Sequence, residues 1–233
     1  VGAGFSGLPT AKKLLELGEE VVVVDRNTGP GGIWHTGAYE DAHIISSRDT
    51  TGMPDFPMPR DYPDFPSKAQ MGAYFEAYAR HFGLLEHCRF ETTVERVRPA
   101  PGGGWTIALA DGETLSAGTV IISNGHHSEP NVVTHPGCFA GEIMRSDAYQ
   151  RASQLAGRRV LVVGAGNTGC DIAVSAARQN GHAEISMRSG TYFFPKLFGG
   201  VPTAELMQSF PIKADWLDRL TARIVHALAS GDL

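Results

Sequence analysis

Three glycines at fixed spacing are the residues through which this chain could do chemistry. Gly164, Gly166 and Gly169 stand in RRVLVVGAGNTGCDI, residues 158–172, between a β-branched run (Val160 to Val163) and a helical pattern from Asn167 to Gln179. The order strand, glycine turn, helix is what a pyrophosphate needs. Gly164 allows a tight turn, Gly166 lets backbone approach the phosphates, and Gly169 lets helix and strand pack closely. The helix N-terminus then offers free N–H groups and the positive end of its dipole to the anion. By itself a glycine-rich loop only makes a turn; the flanking elements are what favour nucleotide binding.

A second copy strengthens that reading. Gly2, Gly4 and Gly7 in GAGFSG precede a helical pattern (Leu8 to Leu17), a Gly18 stop and a strand pattern from Glu20 to Asp25. The two copies differ where the second strand of each ends. In the first copy this is Asp25, 23 positions after Gly2, where a carboxylate can accept from the hydroxyls of an adenosine ribose. In the second it is Arg188, 24 positions after Gly164, where a guanidinium can pair with a 2′-phosphate that a carboxylate would repel. The first site therefore suits FAD and the second NADP.

The elements that must position these residues read as an α/β chain. It should hold two Rossmann-like dinucleotide-binding domains in a three-layer architecture, with a small antiparallel β-meander inserted in the first. We expect an FAD-binding domain at 1–150 and an NADPH-binding domain at 151–233. Only Val1 precedes Gly2, so most of the first strand and the C-terminal completion of the second domain are expected to be missing. The meander should lie at about 89–117: Phe90 to Val97, Trp105 to Ala110 and Glu113 to Leu115 alternate around Gly102–Gly104 and the Asp111–Gly112 hairpin signal. Ser67-Lys-Ala-Gln70 resembles a capping box opening a helix to about His81, whose Tyr74, Phe75, Tyr78 and nearby Phe82 form a core stripe. Residues 54–66 hold prolines and aromatics without period and should form an ordered, packed loop. Thr119 to Gly125 reads as a buried strand ending in glycine, and Lys213 to Ala229 as an amphipathic helix.

Composition narrows the classes. Hydrophobic residues at 42% against 19% charged describe a globular chain with a core, and the net charge of −5 gives no reason to expect nucleic acid. Cys88, Cys138 and Cys170 stand far apart with no CxxC, which argues against a local redox dithiol and fits a reducing, cytoplasmic setting. Cys170 reads as a packing residue. Adjacent His126 and His127 lack acidic or Cys partners at ligand spacing, so no metal is expected, and no apolar run approaches the roughly 18 residues of a membrane span.

The succession GAGFSGL, GGIW, PDFPMPRDYPDFPS, FAGEIMRSDAY, GAGNTGCDIA and YFFPKLFG resembles the flavin-containing monooxygenases. These belong to the class B flavoprotein monooxygenases, with Baeyer–Villiger and YUCCA-type enzymes as relations. The family's linking signature FxGxxxHxxxY/F is matched at Phe139, Gly141 and Tyr149 and broken at Arg145, where the family has His; Tyr149 fits it better than the Trp of Baeyer–Villiger enzymes. Arg145 could meet a phosphate or Asp147, and solvation is the reading we favour. A second departure is the absence of Asn in Ile44 to Thr51, where many members carry an active-site Asn.

The resemblance implies an NADPH- and FAD-dependent monooxygenase. In such enzymes NADPH reduces FAD, the reduced flavin captures O₂ as a hydroperoxide, and a soft nucleophile, an amine nitrogen or sulfide sulfur, removes the distal oxygen. No protein side chain is catalytic and the cofactor carries the hard chemistry. The implied FAD contacts are Gly2, Gly4, Phe5, Ser6, Gly7, Asp25, Arg26, Gly32, Ile33, Trp34, Val94, Asn124 and Gly125. Those for NADPH are Gly164, Gly166, Asn167, Thr168, Arg188 and Ser189. The partners are a small-molecule substrate and O₂, and a homo-oligomer is compatible with this. The alternatives are an NADPH oxidase or reductase releasing hydrogen peroxide, and a non-catalytic nucleotide-binding fragment.

Overall fold

The structure, a computed structural model, describes residues 1–127, 130–131, 136–191 and 193–209. The chain is mixed α/β, and it groups into two compact units. One comprises Val1–His43 and Ser67–Gln154; the other comprises Ile44–Pro66 and the described residues of Leu155–Leu233. Residues 44–66 therefore group with the later half of the chain, which a cut near residue 150 does not anticipate.

In the first unit, helix α1 (Gly7–Glu16) follows the GAGFSG turn and buries Gly7, Leu8 and Ala11. Strand β1 (Val23–Val24) runs parallel to β2 (Cys88–Arg89), with Val23 opposite Cys88. The Val1–Gly2 peptide lies along the other edge of β1. Its N–H donates to Val24 O and its C=O accepts from Ser123 N–H, each at 2.8 Å. A trans peptide points these two groups in opposite directions, so residues 1–2 sit between 23–24 and 121–123. The run from Thr119 reads as buried in sequence, yet Ile121 and Ile122 are 39% and 63% exposed. An apolar run marks a strand covered on both faces, whereas this one is held to the layer along one edge, through Val1.

Helix α3 (Lys68–His81) begins with the expected capping box. Gln70 N–H donates to Ser67 Oγ and Ser67 N–H to Gln70 Oε1. Its inward face buries Met71, Tyr74, Phe75, Tyr78 and Ala79, so the aromatic stripe is core. The meander forms from β3 (Val94–Pro99), β4 (Trp105–Leu109) and β5 (Thr114–Ala117), antiparallel in that order. Ile107 and Leu109 pack with Val24 of β1, and Val94, Val97 and Leu115 close around them. The meander starts later than residue 89 for a local reason. Arg89 pairs with β1, Glu91 takes a φ of 52°, and Glu91 and Thr92 donate their N–H groups to Asn27 O and Asp25 O. Phe90 to Thr93 thus follow the loop after β1 instead of the ladder.

In the second unit, β6 (Leu161–Val163) and β7 (Glu184–Ser186) are parallel, Val162 opposite Ile185. Between them α4 (Asn167–Asn180) buries Ile172, Ala173, Ser175 and Ala176 and ends on left-handed Gly181. Residues 44–66 are tied down by bonds within the segment, and the loop expected to be ordered at 54–66 supplies several of the acceptors. The short helix α2 (Arg48–Thr51) is capped by Ser47, and the Arg48 guanidinium donates to Arg60 O and Tyr62 O while its N–H reaches Asp64 O. Buried Ser47 also donates to the Glu205 carboxylate of α5 (Thr203–Ser209), which follows the β8 (Leu197–Phe198) and β9 (Val201–Pro202) hairpin. Among the described residues no helix is long and apolar enough to cross a membrane. The helix expected over Lys213 to Ala229 lies outside the described residues.

Candidate functional site

The two glycine turns have nearly the same backbone. Gly2 and Gly164 take φ of 103° and 109°, a region only glycine enters freely. Each donates its N–H to the partner strand at 2.8 Å, Gly2 to Val24 O and Gly164 to Ser186 O. The third glycine of each motif is fixed by its own turn: a Cβ on Gly7 would lie 1.8 Å from Gly2 O, and one on Gly169 would lie 2.3 Å from Gly164 O. The middle glycine is different in kind. A Cβ on Gly166 would meet no atom within 4 Å, and one on Gly4 would meet only Gly32, with the Gly32 Cα at 3.5 Å. The space beside Gly4 and Gly166 is what the fold leaves open for backbone to approach a pyrophosphate.

The helices behind these turns begin without a side-chain cap. Neither Ser6 nor Gly166, the N-cap residues of α1 and α4, gives a side-chain hydrogen bond to its helix, and neither first turn contains an acid. By contrast α2 and α3 are capped by Ser47 and Ser67. The first N–H groups of any helix lack an internal partner; among α1 to α4, the two glycine-turn helices are the ones without a side-chain cap. Thus both turns fit a dinucleotide pyrophosphate.

Around the first turn the expected FAD residues come together. Asp25 is buried, its Oδ2 accepting from Ala3 N–H at 2.6 Å and its Oδ1 from Asn27 N–H at 2.8 Å. These bonds hold the carboxylate at the mouth of the turn, and Arg26 beside it is exposed. Gly31 N–H donates to Ala3 O, and left-handed Gly31 and Gly32 bring the Gly32–Trp34 turn against Gly4. Phe5 and Ile33 are each 45% exposed, an apolar rim on the same turns, and Trp34 is half-buried. Phe5 is held edge-on against Phe75 of α3, with centroids 5.7 Å apart. Asn124 also lies beside Gly2: a Cβ there would meet Ser123 O at 2.3 Å and Asn124 N at 3.4 Å. Gly125 follows with a φ of 75°, and Val94 packs toward Val24.

In the second unit Asn167 and Thr168 form the first turn of α4, and Arg188 and Ser189 follow β7, all but Thr168 exposed. The register corrects one detail. Ser186 is to Gly164 what Val24 is to Gly2, so the counterpart of Asp25 is Met187, and Arg188 corresponds to Arg26. The spacing agrees: Asp25 stands 23 positions after Gly2 and Met187 23 after Gly164, so Arg188, at 24, lies one residue past the matched position.

Arg145 is not simply solvated. It makes a two-pronged pair with Asp147, Nε to Oδ1 at 2.9 Å and Nη2 to Oδ2 at 2.5 Å, on the surface of the first unit. The hydrogen bond from Arg145 lowers the Asp147 pKa. The thiols are free; Cys138 is exposed, and Cys88 is pushed up to about 11 by burial first and the Asp25 charge second. Among the described residues no group of His, Cys, Asp and Glu could hold a metal ion.

Two glycine turns, each leading into a helix without a side-chain cap, stand in a mixed α/β chain. The family model described as FMO-like, flavin-binding monooxygenase-like, matches residues 1–230. The chain belongs to this family. It is 32% identical to indole-3-pyruvate monooxygenase YUCCA1 of Oryza sativa subsp. japonica, over 98% of this chain and 57% of that protein. Among solved structures it is similar to a flavin-containing monooxygenase from Stenotrophomonas maltophilia (TM-score 0.77, 26% identity, 95% of this chain, 66% of that one). It is also similar to S-allyl-L-cysteine S-oxygenase from Allium sativum (TM-score 0.74, 26% identity, 86% of this chain, 53% of that one). The chain thus spans about half to two thirds of the length of these proteins.

Proposed function

We propose that the chain is the dinucleotide-binding part of an NADPH- and FAD-dependent monooxygenase that transfers one oxygen of O₂ to a soft nucleophile, a sulfide sulfur or an amine nitrogen. FAD would occupy the first unit, in the domain at 1–150, and NADPH the glycine turn of the domain at 151–233, each in a Rossmann-like fold. Family membership supports the flavin, and the sulfur oxygenation named for the Allium sativum protein supports the substrate class. The observation that carries the reading is the pair of turns with open space at Gly4 and Gly166 in front of uncapped helices.

When bound, the nicotinamide supplies a hydride to the flavin, and the flavin supplies oxygen activation. This chain's residues place and shield. Gly4, Phe5, Ser6 and Gly7 present backbone to the flavin pyrophosphate, Asp25 takes the ribose hydroxyls, and Gly32, Ile33 and Trp34 wall the ring. Asn124 and Gly125 close the turn from the side of Gly2. Asn167 and Thr168 open α4 toward the NADPH pyrophosphate, and Arg188 with Ser189 receives the 2′-phosphate. A cytoplasmic setting completes the reading, in keeping with the free thiols of Cys88, Cys138 and Cys170.

The test is anaerobic reduction of the FAD-loaded protein by NADPH, followed by oxygen with and without a dialkyl sulfide. Sulfoxide formed in proportion to NADPH consumed is the expected result. Stoichiometric hydrogen peroxide with no sulfoxide would move the protein to the oxidases, and failure to retain flavin would leave it a non-catalytic nucleotide-binding piece.

A further inference from the structure

The β-meander has two faces of opposite chemistry, because successive residues of a strand point to opposite sides. Val97, Ile107, Leu109 and Leu115 point inward, around Val24. The register then forms two rows on the outer face. Arg98 lies opposite Thr106, which lies opposite Ser116; Arg96 lies opposite Ala108, which lies opposite Thr114. Neither row contains an acid. Glu113, at the entrance to β5, is already taken by Arg89, with Nη1 to Oε1 at 2.8 Å and Nη2 to Oε2 at 2.6 Å. Arg96 and Arg98 are exposed, and among the described residues neither guanidinium has a carboxylate partner. With Pro99, Thr106 and Ala108 they line an open cleft of about 300 Å³.

We propose that this cleft is a binding site for a small phosphate-bearing molecule, separate from the two glycine turns. Two positions apart on one strand, Arg96 and Arg98 stand about 7 Å from each other at the backbone, so both side chains can reach one tetrahedral dianion between them. Each guanidinium offers the planar fork that matches phosphate oxygens. The half-buried Thr106 hydroxyl, between them on the cleft wall, adds a neutral donor. Two like charges held side by side repel, and with no acid on the face a dianion is what relieves both at once. The cleft is at the small end of ligand pockets, which favours a compact phosphate ester over an extended acidic peptide. All of these residues belong to the first unit, and the inference needs the meander alone, whatever the glycine turns hold.

The experiment is calorimetric titration of the full chain with inorganic phosphate at constant ionic strength. It compares the unaltered protein with Arg96→Gln, Arg98→Gln and Arg151→Gln, with thermal unfolding midpoints as the check on folding. Arg96→Gln and Arg98→Gln should each weaken phosphate at least tenfold, the loss of one charge-assisted fork. Arg151→Gln removes the same charge from an exposed position elsewhere in the first unit and should stay within twofold. Should a glutamine variant not fold, the matching lysine variant keeps the charge, loses the fork and should still weaken phosphate. Binding unchanged in the Arg96 and Arg98 variants would place the phosphate elsewhere, at the glycine turns, and overturn the inference. Equal weakening in all three variants would reduce it to an effect of net charge and overturn it too, as would absence of phosphate binding by the unaltered protein.

Discussion

Changing Gly166 to alanine should separate what the second glycine turn does for the fold from what it does for a ligand. Gly166 has φ −76° and ψ 176°, an extended conformation open to any residue, and an added Cβ meets no atom within 4 Å. Two small effects on stability oppose one another. Reduced freedom of the unfolded chain favours alanine by about 0.4–1 kcal/mol, while alanine is the poorer N-cap by about 0.5–1 kcal/mol. The unfolding free energy should therefore stay within about 1 kcal/mol of its starting value. Binding has no such compensation. The methyl group fills the space left for the pyrophosphate and costs at least one charge-assisted N–H bond, about 1.5–3 kcal/mol, or about 10- to 150-fold in Kd.

Gly169→Ala is the contrasting change. Its Cβ would lie 2.3 Å from Gly164 O, so the turn and α4 must part, and a small-to-large change of this kind costs about 1–3 kcal/mol. That variant should lose both stability and affinity. The assay pairs urea unfolding with calorimetric titration of NADP⁺. A Gly166→Ala protein that binds NADP⁺ with unaltered affinity would refute the reasoning, because the glycine would then be there for no steric reason.

Arg188→Ala should weaken NADP⁺ by about 10- to 100-fold while leaving NAD⁺ within about twofold, since the guanidinium–phosphate pair has no counterpart in NAD⁺; equal losses in titration would remove Arg188 from the phosphate. Asp25→Ala leaves the buried N–H of Ala3 without its acceptor, at about 1–3 kcal/mol, and the part-buried N–H of Asn27 at less, and should lower both the urea midpoint and the flavin retained. A midpoint shift worth less than about 0.5 kcal/mol would mean that water takes over both bonds. For Cys88 the thiol stays protonated in the fold up to about 11 against an ordinary value of 9.0. The raised pKa means the folded state holds the proton longer, so its contribution is complete below pH 9 and is lost as pH rises from there through 11. Iodoacetamide at pH 8 should accordingly label exposed Cys138 and spare Cys88, which peptide mass spectrometry reads directly.

What was legible in the sequence is what local chemistry decides. Ser67 and Gln70 lie within one turn of each other, so the capping box of α3 follows from residue type alone, and so do the aromatic stripe and the Asp111–Gly112 hairpin, where Glu113 N–H donates to Asp111 Oδ1 and Gly112 takes a φ of 89°. Both glycine turns were visible for the same reason. What the sequence concealed depends on partners distant along the chain. The strand pattern of Glu20 to Asp25 shrinks to Val23–Val24 because its neighbour β2 offers only Cys88 and Arg89. Residues 44–66 join the second unit through bonds such as Ser47 to Glu205, which no local pattern encodes. Arg145 and Asp147 stand two apart in a turn, where a charge pair has no periodic signature. Arg188 is the contrary case: equal spacing from the glycine already picks Met187 as the match of Asp25, and the ladder agrees.

The shared register bears on how one backbone design can serve two cofactors. The parts that hold a pyrophosphate cannot vary much: the first glycine needs its positive φ, and the third would collide with the first as any larger residue. The two turns therefore match to within a few degrees and a common hydrogen-bond length. Selectivity has to come from a position that touches the ligand and leaves this frame undisturbed. The residue after the strand is such a position, because its neighbour already accepts from the glycine, and at Asp25 the side chain reaches back to the turn. At Asp25 the side chain also braces the turn through Ala3 N–H. At Met187 no carboxylate is available for that bracing, so the second turn must keep its shape by the Gly164 to Ser186 bond and the packing of Gly169. An added Cβ lies 1.8 Å from Gly2 O at Gly7 and 2.3 Å from Gly164 O at Gly169, so Gly7→Ala should lose more stability than Gly169→Ala in urea unfolding, and a larger loss at Gly169 would show that the braced first turn absorbs the tighter clash.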